Sequence, residues 1–251
     1  MPIYKALSTY KTIQLESLSK LRLFNRIDRK FVFCVSDLSS ILEKLGPDYY
    51  VVTINNTLVS NYNTQYFDTP DFAMYTQHHN GKLNRYKLRL RTYTESNIHF
   101  FELKFKNNIG RTKKMRIEID NQYLNNQPEI TKFLNANSPF SIQNIIPSLC
   151  VNYNRITLVN KRMTERLTID LNLTFNTNTE DSKQYDNIVI AELKQDKSTG
   201  SPFIDVMNDL RIKEASLSKY CLGMASLNKD IKINNYKDKI RYVEKFQSKI
   251  A

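Results

Sequence analysis

The sequence predicts a mainly antiparallel β protein with packed helices, and two observations support this fold class. Polar and apolar residues alternate with a period of two along most of the chain, whereas the 3.6-residue period of a helix is scarce. Asn-rich turns, as at 55–56 and 124–126, separate the alternating segments. No repeat or low-complexity linker divides the 251 residues, so we expect one antiparallel domain.

The alternating segments are the candidate strands. They lie at 26–34, 50–56, 62–68, 85–94, 98–106, 113–120, 151–159, 164–175 and 187–194. Helices are predicted at 36–45, 129–137, 202–214 and near the C-terminus. Ser36 or Asp37 would cap the first helix, and Pro202 would begin the third.

The charge balance points to a polyanionic partner. Lys and Arg number 37 against 25 Asp and Glu, a net charge of +12, which by itself does not distinguish nucleic acid, phosphates and anionic membrane. No apolar run approaches the roughly 18 residues of a membrane span, and the N-terminus lacks the pattern of a signal peptide. We therefore expect a soluble, cytoplasmic protein with no transmembrane segment.

The cysteines and histidines give no sign of a metal site or a disulfide framework. Cys34, Cys150 and Cys221 are odd in number, widely spaced and mostly in apolar surroundings, which favours reduced core thiols. The adjacent histidines of QHHN, at 77–80, fall at a predicted turn without metal-ligand spacing.

The stretch RYKLRLRTYT, at 85–94, carries one cation at every second position. In a strand these four cations share one face, where like charges are unfavourable unless an anion or water lies opposite. Comparable polar registers recur in other strands. Their members are Arg26, Asp28, Lys30, Glu102, Lys104, Lys106, Lys114, Arg116, Glu118, Asp120, Arg166, Thr168, Asp170, Glu192 and Lys194.

Two arrangements of these strands fit the pattern. In a β-sandwich the apolar registers form the core and the charged registers face water. In a closed barrel the charged registers line an interior tunnel, and helices cover the apolar outside. The predominance of cations and the carboxylates in register with them, as in the two ELK segments (102–104 and 192–194), favour the tunnel.

Cations and carboxylates that share one face also suggest a type of reaction. Cations that bind phosphate and carboxylates that bind a divalent metal are what phosphoryl transfer requires, because its transition state depends on positioning and charge neutralisation. Binding of single-stranded nucleic acid would need aromatic rings on the face of the cations. Phe101 and Phe105 alternate with Lys104 instead, so we expect no nucleic acid partner.

The stretches YFDTPDFAMY, YKLRLRTY, FELKFK, ERLTIDLNL, AELK and SKYCLGMA resemble the polyphosphate polymerase domain of the vacuolar transporter chaperone (VTC) family, within the triphosphate tunnel metalloenzymes. The resemblance covers about residues 22–245. It implies an eight-stranded closed tunnel barrel, a Mn²⁺ or Mg²⁺ ion, and growth of inorganic polyphosphate from the γ-phosphate of ATP. We place a lead-in at 1–21, the tunnel-barrel domain at 22–230 and a basic C-terminal helix, packed on or extending it, at 231–251.

The resemblance also implies roles for single residues. Arg89 and Arg91 match the arginines that grip the nucleotide phosphates, and with Lys104 and Arg166 they are the predicted catalytic residues. Glu192 matches the metal-binding glutamate. The predicted phosphate-binding residues are Lys30, Lys87, Lys106, Lys114, Arg116, Lys194 and Lys219.

Two departures keep other functions open. The first strand has Asp28 where the superfamily places a glutamate, and Ser216 stands where a further basic residue is expected, three positions before Lys219. The first hypothesis is a metal-dependent polyphosphate polymerase acting on ATP and polyphosphate. The alternatives are a metal-dependent tri- or polyphosphate hydrolase and a non-catalytic polyphosphate- or nucleotide-binding module.

Overall fold

A computed structural model describes residues 2–21, 26–120, 128–177, 181–196 and 200–248. The strands are β1 Lys11–Gln14, β2 Arg26–Cys34, β3 Tyr49–Thr53, β4 Val59–Asp68, β5 Arg85–Tyr93, β6 Ile98–Lys106, β7 Thr112–Ile119, β8 Ile146–Asn160, β9 Glu165–Asn176, β10 Ser182–Tyr185 and β11 Ile188–Asp196. The helices are α1 Pro2–Leu7, α2 Val35–Leu45, α3 Ala73–His79, α4 Pro128–Asn137, α5 Pro202–Asp209, α6 Lys219–Leu227 and α7 Lys237–Gln247, with 3₁₀ turns at Leu15–Lys20, Ile142–Asn144 and Asn234–Tyr236.

Eight strands follow one another in the order β2-β11-β9-β8-β4-β5-β6-β7, and each neighbouring pair is antiparallel. β3 and β10 add to β8 and β9, and β1 pairs in parallel with β3. The predicted antiparallel sheet with packed helices is confirmed. Closure into a barrel is not confirmed. Strands β2 and β7 stand at the two ends of the strand order, and they do not pair with each other within the described ranges.

The sheet is strongly curved, with the charged registers on its inner face. Strands β11 and β6 are five positions apart in the order, so a flat sheet would separate them by about 24 Å. Yet the charge of Glu192 on β11 acts on the pKa of Lys104 on β6. Ser218 and Lys219, which are adjacent in the chain, contact Lys87 on β5 and Asp170 on β9. The charged registers therefore converge, as the tunnel arrangement predicts.

The apolar registers pack outward against helices, which excludes the β-sandwich. Phe31, Ile169 and Leu193 pack with α1, α2 and α5 in one buried cluster. Leu88, Phe101 and neighbouring residues of β5–β7 pack with α4 in a second cluster. Both clusters lie on the convex face, so burial of apolar surface holds the sheet in its curved form.

A third buried cluster lies on the concave face, at the end away from the charged residues. Val32, Val151 and Phe175 line it, and Tyr220 and Met224 of α6 fill it. Helix α6 thus covers the apolar part of the concave face and leaves the charged part uncovered. Its first residue, Lys219, lies at the boundary between the two parts.

The outer edge of β2 is covered by the chain that leads into α6. Glu214 forms an isolated antiparallel bridge with Phe31, and the Ala215 N–H donates to the Lys30 carbonyl at 2.7 Å. Glu214 also accepts from Arg29 at 3.0 Å. This segment pairs with β2 on the side where a closed barrel would have β7.

The YFDTPDFAMY motif is structural. Asp68 is fully buried, and its carboxylate accepts the N–H groups of Thr69, Met74 and Tyr75, each at 2.8 Å. The Tyr220 hydroxyl also donates to it. Asp68 therefore joins the start of α3 and the side of α6 to the end of β4.

Most predicted elements are confirmed, with shifts at their ends. The predicted helix 202–214 stops at Asp209, because Arg211 adopts a left-handed φ of 56°. The QHHN segment lies in and just after α3, so the predicted turn there is wrong. Cys34 and Cys221 are buried free thiols as expected, but Cys150 is only half-buried. The predicted turn at 124–126 falls outside the described residues.

Helices long and apolar enough to span a membrane are absent from the described part of the chain.

We predict that Gly223→Ala destabilises the fold. A Cβ at this position of α6 would lie 2.6 Å from side-chain atoms of Leu149 and Phe175, so α6 would have to move away from the sheet. Overpacking of this kind costs about 1 to 3 kcal/mol, which urea unfolding would detect as a lower midpoint. Gly200→Ala is the matched control, because a Cβ at Gly200 meets no atom within 4 Å. Equal midpoints for both variants would contradict the tight docking of α6.

Candidate functional site

The predicted site residues lie on six strands and one helix. Lys30 is on β2, Glu192 and Lys194 are on β11, and Arg166 is on β9. Lys219 begins α6. The remaining predicted residues lie on β5, β6 and β7, at Lys87, Arg89, Arg91, Lys104, Lys106, Lys114 and Arg116. They form three groups, each centred on one carboxylate, and a row of lysines.

The first group is centred on Glu192. Its Oε1 atom lies 2.7 Å from Lys30 Nζ and 2.8 Å from Lys194 Nζ. The cross-strand register causes this, since Glu192 lies opposite Lys30 and Lys194 follows two positions along β11. Burial alone would raise the pKa of Glu192, but the charges of Lys194 and Lys30 outweigh it and hold the pKa well below its usual range. Glu192 is therefore ionised.

The second group is centred on Glu102. Arg89 Nε lies 2.5 Å from Glu102 Oε2, and Arg91 Nη1 lies 3.9 Å from the same oxygen. The Nε of Arg91 is buried without a hydrogen-bond partner in the described residues. Arg116 lies opposite Glu102 on β7, and its guanidinium packs 4.2 Å from the Phe100 ring centre. Arg91 therefore retains more unused donor capacity than Arg89.

A row of three lysines crosses β5, β6 and β7 beside this group. Lys87 lies opposite Lys104, and Lys104 lies opposite Lys114. Lys87 donates to Ser218 Oγ at 2.9 Å, whereas Lys104 has no ion-pair partner among the described residues. Burial and the charges of Lys114 and Lys87 lower the pKa of Lys104 to about 7. Burial also lowers the pKa of Lys87 to about 8.

A cavity of about 290 Å³ joins the second group to the lysine row. Its lining consists of Lys87, Arg89, Glu102, Leu103, Lys104, Lys114, Met115 and Arg116. Five cations face one carboxylate here, which leaves an excess of positive charge in a half-enclosed space. Such a space favours a ligand with several negative charges.

The third group is centred on Asp170 of β9. Arg155 on β8 donates to both carboxylate oxygens, from Nε at 2.6 Å and from Nη2 at 2.8 Å. Lys219 of α6 donates to Asp170 Oδ2. Burial alone would raise the pKa of Asp170, but the charges of Arg155 and Lys219 lower it to about 2.

Two predicted residues lie apart from the three groups. Lys106, near the end of β6, pairs with Arg85 and Thr112 and does not line the cavity. Arg166 lies opposite Lys194, two cross-strand pairs beyond Glu192, and is half-buried. Lys106 is thus two positions along β6 from Lys104, and Arg166 lies next to the first group.

The sequence prediction missed Arg155, and it did not anticipate aromatic rings on the face of the cations. Phe101 and Phe105 do lie on the other register, but Tyr62 and Tyr153 stack at 5.2 Å on the concave face. Arg155 lies over both rings, at 4.8 and 5.2 Å. Tyr153 and Arg155 are two positions apart on β8, and this spacing could have indicated that the two side chains share one face of the sheet.

The carboxylates fit a metal that arrives bound to phosphate. Groups of three or more His, Cys, Asp or Glu that could hold an ion by themselves are absent from the described residues. In phosphoryl-transfer sites Mg²⁺ is usually bound by one or two carboxylates plus substrate phosphates. Both lysine contacts of Glu192 use Oε1, so binding a metal through Oε2 would not require either lysine to leave.

The fold and the site together define a curved antiparallel β protein whose concave face carries an excess of cations. Residues 25–228 match the VTC domain, and the chain belongs to this family. Family and fold support a function related to polyphosphate or triphosphate.

Solved structures with similarity to this chain are found at low sequence identity. A candidate adenylyl cyclase from Hippeastrum, described as having a dominant triphosphatase activity, is 13% identical with a TM-score of 0.50, over 82% of this chain and 98% of its own. A candidate adenylate cyclase from Vibrio parahaemolyticus is 12% identical with a TM-score of 0.47, over 78% of this chain and 96% of its own. No curated protein matches the chain.

We predict that Arg89→Ala and Arg91→Ala each weaken the binding of ATP by about 1.5 to 3 kcal/mol, the range for hydrogen bonds to charged groups. Their guanidinium groups lie two positions apart on one face of β5, and each can bind phosphate oxygens with two donors. Isothermal titration calorimetry measures the change. Arg29→Ala is the control, because the Arg29 side chain lies on the face of β2 opposite to that of Lys30 and pairs with Glu214. Unchanged ATP affinity in both variants would remove the two arginines from the site.

We also predict that binding of inorganic tripolyphosphate weakens as the pH rises from 7 to 9. A lysine is cationic below its pKa, so Lys104 loses its charge through about pH 7 and Lys87 through about pH 8. Losing one charged contact should lower the affinity about tenfold. Lys104→Met should bind more weakly at pH 7 and show a smaller pH dependence, whereas Lys44→Met, on the exposed face of α2, should behave as wild type. A flat pH profile for the wild type would refute the titration of these lysines.

Proposed function

We propose that this chain is a metal-dependent polyphosphate polymerase, which transfers the γ-phosphoryl group of ATP to the end of an inorganic polyphosphate chain. The observation that carries the proposal is the convergence of cations from β2, β5, β6, β7, β8, β11 and α6 on one concave face. Two phosphate chains must lie end to end in such a reaction. The three charged groups and the lysine row supply more cations than one triphosphate needs.

The residues of this chain act mainly by binding and charge neutralisation. Arg89 and Arg91 hold the phosphates of ATP, with Arg91 providing the donors that Glu102 does not occupy. Lys87, Lys104 and Lys114 neutralise charge beside them. The P–O bond between the β and γ phosphates breaks, a new P–O bond forms to a terminal oxygen of polyphosphate, and ADP leaves. Both phosphate chains lie along the concave face of the curved sheet.

A divalent cation, Mn²⁺ or Mg²⁺, would be held by Glu192 together with phosphate oxygens, and when bound it supplies further neutralisation of the transferring group. Lys30 and Lys194 keep the Glu192 carboxylate ionised and in place. Arg166 lies opposite Lys194, two cross-strand pairs beyond Glu192, and extends the cationic surface on this side of the sheet.

The test is to incubate the purified chain with ATP and Mn²⁺ and to separate the products on a gel that resolves polyphosphate from orthophosphate. Polyphosphate and ADP are expected. Orthophosphate alone would mean that water is the acceptor and that the chain is a hydrolase. ATP binding with neither product would identify a binding module, and both results contradict the polymerase. The Arg89→Ala, Arg91→Ala double variant is the low-activity control.

We predict that Glu192→Gln lowers metal-dependent turnover by about two orders of magnitude, because the metal is held less firmly and neutralises less transition-state charge. The variant keeps the shape of the side chain, so it should stay folded and still bind tripolyphosphate in the absence of metal. Turnover is measured over a series of Mn²⁺ concentrations.

Glu244→Gln is the control for this variant, since it removes a carboxylate whose partner, Lys183, lies outside the site. Full activity of Glu192→Gln at limiting Mn²⁺ would rule out Glu192 as a metal ligand. Loss of folding without a separate loss of activity would instead assign Glu192 to the ion pairs with Lys30 and Lys194.

A further inference from the structure

Asp170 lies where two strands and one helix meet. Its side chain is 4% exposed, and it is bound by Arg155 of β8 and by Lys219 of α6. Arg155 and Asp170 are directly opposite in the β8–β9 register, so the sheet itself brings them together. Lys219 arrives from a different part of the chain, through the docking of α6.

Two aromatic rings, Tyr62 and Tyr153, contact the cations that bind Asp170. Lys219 Nζ lies 4.7 Å from the Tyr153 ring centre, and the Arg155 guanidinium lies 5.2 Å from the same centre. Tyr62 stacks on Tyr153 and also contacts Arg155. Arg155 and Lys219 are thus held over one aromatic surface, with Asp170 bound to both.

Asp170 occupies only some of the donors that these cations carry. Arg155 uses Nε and Nη2, and a guanidinium has three further N–H bonds. Lys219 uses one of the three N–H bonds of its ammonium group. The group retains a net positive charge and several free donors in a fixed arrangement.

We propose that Asp170 is a positioning residue of the phosphoryl-transfer site: it holds Arg155 and Lys219 side by side so that both donate to the same phosphate chain. This inference rests on the proposed function, because it assigns the third group to the same substrate. Asp170 itself does not touch phosphate, since two carboxylate oxygens facing a polyanion would repel it. It acts through the two cations.

The proposal and simple charge balance predict opposite results. If Asp170 only offsets positive charge, neutralising it makes the site more cationic and should tighten the binding of a polyanion. If it positions Arg155 and Lys219, neutralising it releases both side chains and should weaken binding. The sign of the change therefore decides between the two roles.

The experiment titrates inorganic tripolyphosphate into the full chain by calorimetry, without metal. Asp170→Asn should weaken binding about tenfold, the equivalent of one charged hydrogen bond lost. Asp170→Glu keeps the charge but moves the oxygens, and should weaken binding as well. Glu244→Gln, which breaks the ion pair with Lys183 outside the site, should bind as wild type. Thermal melting of each variant shows that it is folded.

Unchanged or tighter binding in folded Asp170→Asn would overturn the proposal. If neither Asp170 variant folds, Arg155→Lys replaces them, because it keeps the charge but cannot reach both carboxylate oxygens; wild-type affinity in that variant would also overturn it. The measurement does not involve turnover. A chain that shows these shifts but makes no polyphosphate would keep the positioning role and lose the proposed function.

Discussion

The crowding of cations on the inside of a curved sheet is the constraint on which the rest of this structure depends. Curvature brings side chains from distant strands together, so cations that would be separated on a flat sheet repel one another. Without ligand, this repulsion opposes the burial of apolar surface on the convex face. Three carboxylates, Glu102, Asp170 and Glu192, reduce it, and each is placed between cations from different strands or from α6.

The distribution of these carboxylates divides the concave face into parts with different charge. Around Glu192 and Asp170 the cations are largely paired, whereas Lys104, in the cavity, has no ion-pair partner within the part of the chain that the structure describes. Burial, together with the charges of Lys114 and Lys87, lowers the pKa of Lys104. The free-energy cost of repulsion between cations is thus greatest in the cavity around Lys104, where a bound polyanion would remove it. Pairing elsewhere keeps the remaining cations in fixed positions.

Much of the fold and part of the site could be predicted from the sequence, because alternation is a local property. The register of Arg89, Arg91 and Lys104 follows directly from spacing within β5 and β6. Arg155 could not be found in this way, because its partner Asp170 becomes visible only when β8 and β9 are aligned. Helix α6 was missed because most of its residues are buried, so it lacks a polar face and its periodicity is weak. The expected closure of the barrel is not confirmed, and nothing local in the sequence shows that the 214–215 segment pairs at the β2 edge.

The pairing of that segment with β2 has a consequence for the order in which the protein assembles. Arg29 and Glu214 are 185 residues apart in the chain, so the edge of β2 and the position of Lys219 are completed only after the intervening residues have been synthesised. During synthesis the N-terminal strands emerge first, with an unpaired edge and an apolar concave surface that α6 has not yet covered. Such surfaces favour association between chains. The segment around residues 214–219 therefore protects strands that were synthesised long before it and, in the same step, brings Lys219 into the site.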